Sequence, residues 1–280
     1  MAEPQGKAPI GVFDSGMGGL TVVRALQEAL PDERFLYYGD TAHLPYGDKS
    51  PEVLRGYVRN VVGFLLSRGA KAIVVACNTA SAVAFQAVAK QAAAAQVPAF
   101  EVIEPAVELA LAASEDQEIG VIATQTTILS HIYLKRVLAH NPKALVVEKA
   151  TPLLVPLIEE GWLAHKLSSQ VVQAYMSDTS FRTIDTLILG CTHYPLIAGH
   201  IQRYFEQNLT KMIRLISSSE ALAQTLPNDP AFRPAAPNAP RLPDEYYVSD
   251  RTEAFAEMAT RFLGFRPQLI QMPLPTSSSA

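Results

Sequence analysis

The sequence predicts an α/β protein built from two copies of one unit. At both of its cysteines an apolar stretch runs into polar residues, in "VVACNTASA" and in "LILGCTHYPLI". The similar segments "IGVFDSGMGG" and "IGVIATQTTI" begin at Ile10 and Ile119, which are 109 positions apart, and Cys77 and Cys191 are 114 apart. Two independent intervals near 110 residues indicate a duplicated unit.

The first cysteine follows a segment typical of a strand that is buried on both faces. Residues Ile73 to Ala76 are β-branched or small and apolar, which suits a strand inside a parallel sheet. Cys77 comes next, followed by the polar pair Asn78 and Thr79 and by an alanine-rich stretch that favours a helix. The pattern therefore predicts a strand, a cysteine and a helix start in immediate succession.

The second cysteine has the same predicted layout. Residues Leu187 to Gly190 form the apolar strand, and Cys191 follows it. Thr192 and His193 then precede the segment "LIAGHIQRYF", which resumes as a helix. Both cysteines thus lie at the C-terminal edge of a predicted strand, which is the edge where open α/β sheets bind ligands.

Length and composition limit the classes of protein that the chain can belong to. Its 280 residues are many for one hydrophobic core and sufficient for two, and with 49 % hydrophobic and 18 % charged residues general disorder is excluded. A net charge of -4 without a basic run gives no indication of nucleic-acid binding. Because the sequence shows neither a signal peptide nor an apolar run of membrane-spanning length, we expect a cytoplasmic protein without membrane contact.

Residue types alone leave four interpretations of the cysteine pair. A disulfide is unexpected in the reducing cytosol, and a zinc site on both thiolates and His193 lacks a fourth ligand at a recognisable spacing. Two structural core cysteines are a further alternative. Matching positions at predicted helix N-termini, which stabilise thiolates, favour chemistry. Two acid/base thiols in related halves suit removal of a proton from one face of a carbon and its return on the other, which is racemisation.

No segment makes a convincing cofactor motif. The "GMGG" stretch after the first strand is a short glycine-rich turn, which is weak evidence for a dinucleotide site, and the sequence contains no GxxxxGK[ST]. The sequence therefore predicts a reaction that uses the protein's own groups, with neither a cofactor nor a metal.

Five segments in order resemble the cofactor-independent glutamate racemases of the aspartate/glutamate racemase family: "FDSGMGG", "YYGDTAHLPYGDKS", "VVACNTASA", "PLIEEG" and "LGCTHYPLI". The resemblance covers about residues 10 to 215 and continues more weakly in "YYVSDRTEAFAEMATRFLG". It implies interconversion of L- and D-glutamate for peptidoglycan synthesis, and a homodimer, since family members often pair. A two-cysteine racemase of aspartate or hydantoin and a non-catalytic binding relative are the alternatives.

The resemblance also implies an architecture. Two α/β domains with largely parallel sheets are related by a pseudo-twofold axis, and the active site lies in the cleft between them. Residues 1–103 with 216–280 are expected to form the domain that carries Cys77, and residues 104–215 the domain that carries Cys191. The proline-rich segment "PNDPAFRPAAPNAPRLP", residues 227–243, predicts an extended surface loop.

Carried over position by position, the resemblance implies catalytic roles. Cys77 takes the α-proton from D-glutamate and Cys191 takes it from L-glutamate. Asp14 assists the first cysteine, although it could instead cap a helix. His193 assists the second, and Glu159 supports it.

Two of these role assignments need a further remark. Glu160 could take the role of Glu159, and Glu159 could instead lie on a solvated helix face. Because an aspartate beside a thiolate disfavours the anion, we expect Asp14 to move a proton rather than to act as a fixed charge.

The expected substrate contacts are mostly neutral groups. Glutamate has two carboxylates and an ammonium, and the two cysteine motifs contain neither arginine nor lysine. Backbone N–H groups at helix starts and neutral side-chain donors must then receive the carboxylates. The resemblance assigns substrate binding to Asp14, Ser15, Tyr46, Gly47, Asn78, Thr79, Thr124, Thr127, Thr192 and His193. For the threonines of "ATQTT", ordinary helix capping is the alternative.

Overall fold

The computed structural model describes residues 8–232 and 242–275. Ten β-strands lie within these ranges. In chain order they are β1 (Ile10–Asp14), β2 (Phe35–Gly39), β3 (Ala72–Val75), β4 (Ala99–Glu101), β5 (Glu118–Ala123), β6 (Leu145–Ala150), β7 (Thr186–Gly190), β8 (Arg214–Ser217), β9 (Glu245–Val248) and β10 (Leu269–Gln271).

The same ranges contain eleven α-helices, together with several short 3-10 turns. The α-helices are α1 (Leu20–Ala29), α2 (Pro51–Ser67), α3 (Asn78–Ala94), α4 (Ile103–Ala113), α5 (Gln125–Ser130), α6 (Ile132–His140), α7 (Leu154–Glu159), α8 (Lys166–Met176), α9 (Ala198–Asn208), α10 (Ser218–Thr225) and α11 (Glu253–Leu263).

The strands form two sheets whose pairings are all parallel. One sheet has six strands in the order β10-β9-β2-β1-β3-β4, and the other has four in the order β6-β5-β7-β8. The central strands β1, β3 and β7 are buried along their whole length, which explains their continuous apolar sequences. The predicted α/β class with parallel sheets is confirmed.

The two sheets repeat one topology. The order β2-β1-β3-β4 in the first sheet corresponds to β6-β5-β7-β8 in the second, and helices connect the strands in both. The strand before Cys77 and the strand before Cys191 therefore hold equivalent places, as the repeat interval predicts. Strands β9 and β10 come from the end of the chain and extend the first sheet beyond β2.

Helix ends follow local chemistry. The Ser50 hydroxyl accepts a hydrogen bond from the Val53 N–H at the start of α2, where Pro51 occupies the first position. Helix α11 begins at a Thr252 cap and stops at Gly264, whose φ of 83° lies in the left-handed region that favours glycine. These signals fix where the helices begin and end, and so which residues remain for the connecting turns at the sheet edges.

Two expected chain segments differ from the structure or extend beyond it. Strand β8 continues to Ser217, two residues past the expected domain boundary at 215. The first part of the proline-rich segment is not extended, because residues Leu226–Asn228 and Pro230–Phe232 form 3-10 turns. Phe232 is buried there against the Phe100 ring, with 5.2 Å between the ring centroids. Residues 233–241 of the segment lie outside the described residues.

Within residues 8–232 and 242–275, no helix combines the length and the apolar character that a membrane span requires.

Candidate active site

A cavity of about 250 Å³ lies between the C-terminal edges of the two sheets. Both halves of the duplicated fold supply its walls through the turns that follow β1, β3, β5 and β7. Both cysteines line it, as do Glu159 and most of the expected substrate contacts: Ser15, Tyr46, Gly47, Asn78, Thr79, Thr124, Thr192 and His193. Asp14 and Thr127 do not reach the cavity surface and are completely buried beside it.

Sequence reasoning missed several residues of the cavity wall. They lie inside or close to segments that it did identify, namely Leu44, Pro45, Asp48, Gln125, Pro152, Val155, Pro156 and Tyr194. Most of them are apolar or lie in irregular turns, and such residues give no chemical signal in a single sequence. Their positions within or near these segments are the signal that could have found them.

Cys77 occupies the N-cap position of α3, as the sequence predicts. Its Sγ accepts a hydrogen bond from the Ala80 N–H at 3.4 Å and lies 3.7 Å from the Ser15 Oγ. Burial nevertheless raises the pKa of the thiol to about 12, and the charge of Asp14 adds to this effect. The N–H at the helix start does stabilise the anion, as expected, but desolvation outweighs the hydrogen bonds from Ala80 and Ser15.

Cys191 directly follows β7, but an α-helix does not begin directly after it. Residues Tyr194–Ile197 form a 3-10 turn, and α9 starts only at Ala198. Pro195 lies within this turn and disfavours helical geometry at the residue before it. The helix predicted in "LIAGHIQRYF" is α9, but the 3-10 turn separates its N-terminus from Cys191.

His193 is the titratable side chain beside Cys191. Its Nδ1 lies 3.8 Å from the Cys191 Sγ, and its Nε2 lies 3.0 Å from a carboxylate oxygen of Glu159. Burial by itself would lower the pKa of the imidazole, but the hydrogen bonds to Cys191 and Glu159 outweigh burial and raise it to about 10. His193 therefore keeps its second proton at neutral pH. Glu160 is exposed at the end of α7, so Glu159 is the carboxylate that contacts the histidine.

Asp14 ends β1 and is completely buried. Burial raises the pKa of its carboxyl, while the charge of His193 and the N–H groups of Gly19, Gly16 and Ser15 oppose that rise. The N-cap position of α1 belongs to Gly19, so Asp14 is not the cap residue of that helix. A buried carboxyl with a raised pKa beside Cys77 is suited to exchange a proton with the thiol.

The "GMGG" stretch has a packing role in this site. A Cβ atom at Gly18 would overlap the His193 ring and the Thr192 hydroxyl, and one at Gly19 would overlap Asp14. The Thr21 hydroxyl donates a hydrogen bond to the Thr192 carbonyl at 3.0 Å. These glycines let the first turn of one half pass closely between the polar groups of both halves.

Three threonine hydroxyls join the halves on another side of the cavity. The Thr124 Oγ1 lies 2.9 Å from both the Thr79 and the Thr127 Oγ1 atoms, which are themselves 3.3 Å apart. Although Thr124 holds the N-cap position of α5, its side chain caps no backbone N–H. The capping alternative is therefore not realised for Thr124.

The side-chain amide of Asn78 is directed into the protein. Its Nδ2 donates to the Tyr133 Oη at 2.8 Å and to the Ser218 Oγ at 3.1 Å. Because Ser218 donates its own hydrogen to the Leu189 carbonyl, it can only accept from Asn78, which fixes the orientation of the amide. Asn78 therefore has no side-chain hydrogen left for a ligand, and its backbone N–H at the start of α3 is the remaining donor.

The alternatives to cysteine chemistry find little support. Both cysteines are free, so a disulfide between them is excluded. Neither belongs to a group of three or more His, Cys, Asp or Glu side chains close enough to share an ion, within residues 8–232 and 242–275. A cavity that holds one thiol from each half, with a carboxyl beside one and an imidazolium beside the other, is a site for proton transfer.

Such a two-thiol site between duplicated α/β halves defines a class of racemase, and similarity to known proteins agrees with this class. The Asp/Glu/hydantoin racemase family model matches residues 10–226, and the chain belongs to this family. It is 42 % identical to a glutamate racemase of Neisseria meningitidis serogroup C over 265 residues, which are 94 % of this chain and 96 % of that protein.

Solved structures show the same relationship. Glutamate racemase from Francisella tularensis in complex with D-glutamate superposes with a TM-score of 0.85 at 33 % identity, covering 97 % of this chain and 99 % of the other. The enzyme from Thermus thermophilus in complex with beta-chloro-D-alanine gives a TM-score of 0.81 at 38 % identity, covering 97 % and 98 %. The resemblance that the motifs indicate is thereby confirmed.

Proposed function

We propose that this protein is a glutamate racemase that interconverts L- and D-glutamate with Cys77 and Cys191 as its two bases. The observation that carries the proposal is the chemical asymmetry of two equivalent strand ends. Each presents a thiol to one cavity, but Asp14 accompanies the first thiol and His193 the second. Similarity to glutamate racemases over nearly the whole chain favours glutamate over aspartate or hydantoin as the substrate. The product would supply D-glutamate for peptidoglycan synthesis.

The protonation states suit the L-to-D direction at neutral pH. Cys77 is a thiol because its pKa is raised to about 12, whereas the imidazolium of His193 stabilises a thiolate on Cys191. Cys191 then removes the α-proton from L-glutamate, and Cys77 delivers its proton to the opposite face of the same carbon. The step leaves Cys77 as the thiolate and Cys191 as the thiol.

The D-to-L direction starts from that second state. Burial and the charge of Asp14 oppose a thiolate on Cys77, while the Ala80 N–H and the Ser15 hydroxyl stabilise it. A protonated Asp14 removes the repulsion, so Asp14 supports this direction by holding a proton while Cys77 is charged. His193 supports the other direction from Cys191.

Glutamate is held by groups that both halves supply. Backbone N–H groups at the start of α3 and the hydroxyls of Thr79 and Thr124 are suited to receive the α-carboxylate. The turn at Tyr46 and Gly47 is suited to receive the distal carboxylate. We assign the half that carries Cys77 to residues 1–103 with 216–280 and the other half to residues 104–215, which β8 extends to Ser217. A cytoplasmic location and a homodimer stay predictions, and sedimentation of the purified protein would test the homodimer.

The experiment that tests the function is racemisation in D2O without added cofactor, offered glutamate, aspartate and hydantoin in turn. We expect loss of optical rotation and uptake of deuterium at Cα with both enantiomers of glutamate. Turnover of aspartate or hydantoin in its place would identify another substrate within the family. Exchange with none of them, together with tight binding of glutamate, would indicate a binding protein.

Activity is expected to be independent of metals, pyridoxal phosphate and nucleotides. The two thiols, Asp14 and His193 supply every proton that the reaction moves, so extensive dialysis against a chelator should leave kcat and KM for glutamate unchanged. Steady-state assays before and after dialysis measure this. Loss of activity that zinc restores would contradict it.

Glu159→Gln is expected to lower kcat for L-glutamate about tenfold, while Glu160→Gln leaves it near the wild-type value. The charged hydrogen bond at 3.0 Å to His193 raises the imidazole pKa, and the amide removes that charge. Glu160, exposed and one residue further on, is the matched control. A titration of His193 by NMR should show a lower pKa in Glu159→Gln. Equal effects of the two substitutions would contradict the role of Glu159.

A further inference from the structure

We propose that Asp40 is a positioning residue that sets the length of the amino acid the site accepts. It acts through Tyr46 on the cavity wall that faces the side chain of the substrate. The inference rests on the proposed function, which it extends from proton transfer to the choice between glutamate and its shorter and longer homologues.

One continuous segment without regular α-helix or strand builds this wall. Residues 44–48 all line the cavity, and the segment consists of short 3-10 turns and their connections. Leu44 packs so closely on Gly16 that a Cβ atom at this glycine would lie 2.9 Å from the leucine Cδ2. Because such a segment lacks ladder hydrogen bonds, its position depends on a few side-chain anchors.

Asp40 is the inner anchor. Its side chain is 4 % exposed directly after β2, and its Oδ2 accepts a hydrogen bond from the Tyr46 Oη at 2.6 Å. The same carboxylate lies 2.8 Å from the His43 Nδ1, and the His43 ring stacks on Tyr57 with 4.0 Å between the ring centroids. Burial and the neighbouring Asp40 raise the pKa of Tyr46 well above its ordinary value, so the phenol keeps the proton that it donates.

This arrangement turns the Tyr46 ring into the protein and leaves main chain at the cavity. Tyr46 is 1 % exposed, and Gly47 has no side chain to offer. On the outer side, the Thr126 hydroxyl of the other half donates to the Gly47 carbonyl at 2.6 Å, and a Cβ atom at Gly47 would lie 3.0 Å from the Thr124 Cβ. The wall is therefore held between a buried carboxylate within its own half and two threonines of the other half.

The position of this wall determines substrate length. The reacting Cα must lie between Cys77 and Cys191, so the distal carboxylate reaches a fixed distance from both thiols. Removing or adding one methylene changes that reach, and a rigid wall discriminates by about 10- to 200-fold for each methylene. A wall that has lost its inner anchor can follow the ligand and discriminates less.

The test compares Asp40→Ala, Asp40→Asn and Tyr46→Phe with the wild type on glutamate, aspartate and 2-aminoadipate. Turnover and binding of each amino acid are measured separately. We expect Asp40→Ala and Tyr46→Phe to raise KM and Kd for glutamate at least about tenfold, with a smaller fall in kcat, and to reduce the preference for glutamate over both homologues at least about tenfold. Asp40→Asn keeps an oxygen that accepts from Tyr46 and should retain most of the preference.

Glu33→Gln is the matched control. Glu33 is also buried and pairs with Lys71 at 2.7 Å, but it precedes β2 and so lies at the opposite sheet edge. We expect it to lower the melting temperature without changing the preference among the three amino acids. The proposal is overturned if Tyr46→Phe keeps the wild-type preference and KM, or if Asp40→Ala weakens all three amino acids equally.

The outcome is separable from that of the proposed function. If the wild type fails to racemise glutamate, the proposed function fails, whereas the binding preferences of the variants still decide the role of Asp40. If the wild type racemises glutamate and the preferences do not change, only the role of Asp40 is refuted.

Discussion

Cys77→Ala and Cys191→Ala are each expected to abolish racemisation, with a loss of about 10⁴-fold or more in kcat. Each thiol serves one face of the substrate carbon, so removing either leaves a carbanion without a proton donor on that face. General acid–base groups commonly contribute 10²- to 10⁴-fold, and here a single residue is base in one direction and acid in the other. Polarimetry at saturating glutamate measures the loss.

Serine variants of the two cysteines are expected to affect the two enantiomers of glutamate differently. Cys191→Ser retains Cys77 as a working base, so exchange of the α-proton with solvent should survive better for D-glutamate than for L-glutamate. Cys77→Ser should show the reverse preference. Loss of exchange to the same extent for both enantiomers in both variants would refute the assignment of faces. The melting temperature of each variant is the control for folding.

Asp14→Asn and His193→Asn are expected to impair opposite directions, each by about 100-fold in kcat. Asp14→Asn should slow D-to-L conversion more, because its amide cannot hold the proton that relieves the repulsion beside Cys77. His193→Asn should slow L-to-D conversion more, because the thiolate of Cys191 loses its cationic partner. Since L- and D-glutamate are equally stable in water, kcat/KM must remain equal in both directions, and any difference in kcat must be matched by one in KM.

The pH profile tests the same two groups. The L-to-D reaction requires a proton on His193, which has a pKa raised to about 10, and a thiol on Cys77, which has a pKa raised to about 12. We therefore expect a bell-shaped profile of kcat/KM whose alkaline limb falls as the pH rises towards about 10. The limbs belong to the coupled groups together. In His193→Asn the limb near pH 10 should be lost, because the imidazole that titrates there is absent.

Two results would contradict these roles. One is a wild-type D-to-L kcat in Asp14→Asn. The other is an equal loss in both directions for both variants. A profile of His193→Asn that overlays that of the wild type would show that the imidazole does not set the alkaline limb.

Local sequence patterns predicted the framework of the site well. Strands β3 and β7 are buried on both faces, so their apolar runs mark them clearly, and the residues after Val75 and Gly190 had to lie at one kind of sheet edge. The repeat interval predicted that Cys77 and Cys191 occupy equivalent places. The same interval indicates that the strands of one sheet correspond in order to the strands of the other.

Properties that depend on tertiary contacts could not be predicted from the sequence. The pKa of Cys77 is raised because the folded chain buries the thiol beside Asp14, and local helix geometry alone indicated the opposite. Pro195 was visible in "GCTHYPLI", but only the structure shows that the chain forms a 3-10 turn there before α9 begins. Asp40 lies in "YYGDTAHLPYGDKS", but the sequence indicated no role for it, since its partners Tyr46 and His43 matter only through the wall that they hold.

The partition of solvent deuterium in the first turnover tests the two-base account most directly. Protiated L-glutamate is mixed with the wild-type protein in D2O, and deuterium at Cα is measured in both enantiomers while little substrate has reacted. If Cys191 removes the proton and Cys77 supplies another, D-glutamate should carry deuterium from its first appearance and the remaining L-glutamate should stay protiated. D-glutamate that retains the original proton, or deuterium that appears equally in both enantiomers from the start, would contradict the assignment of one thiol to each face.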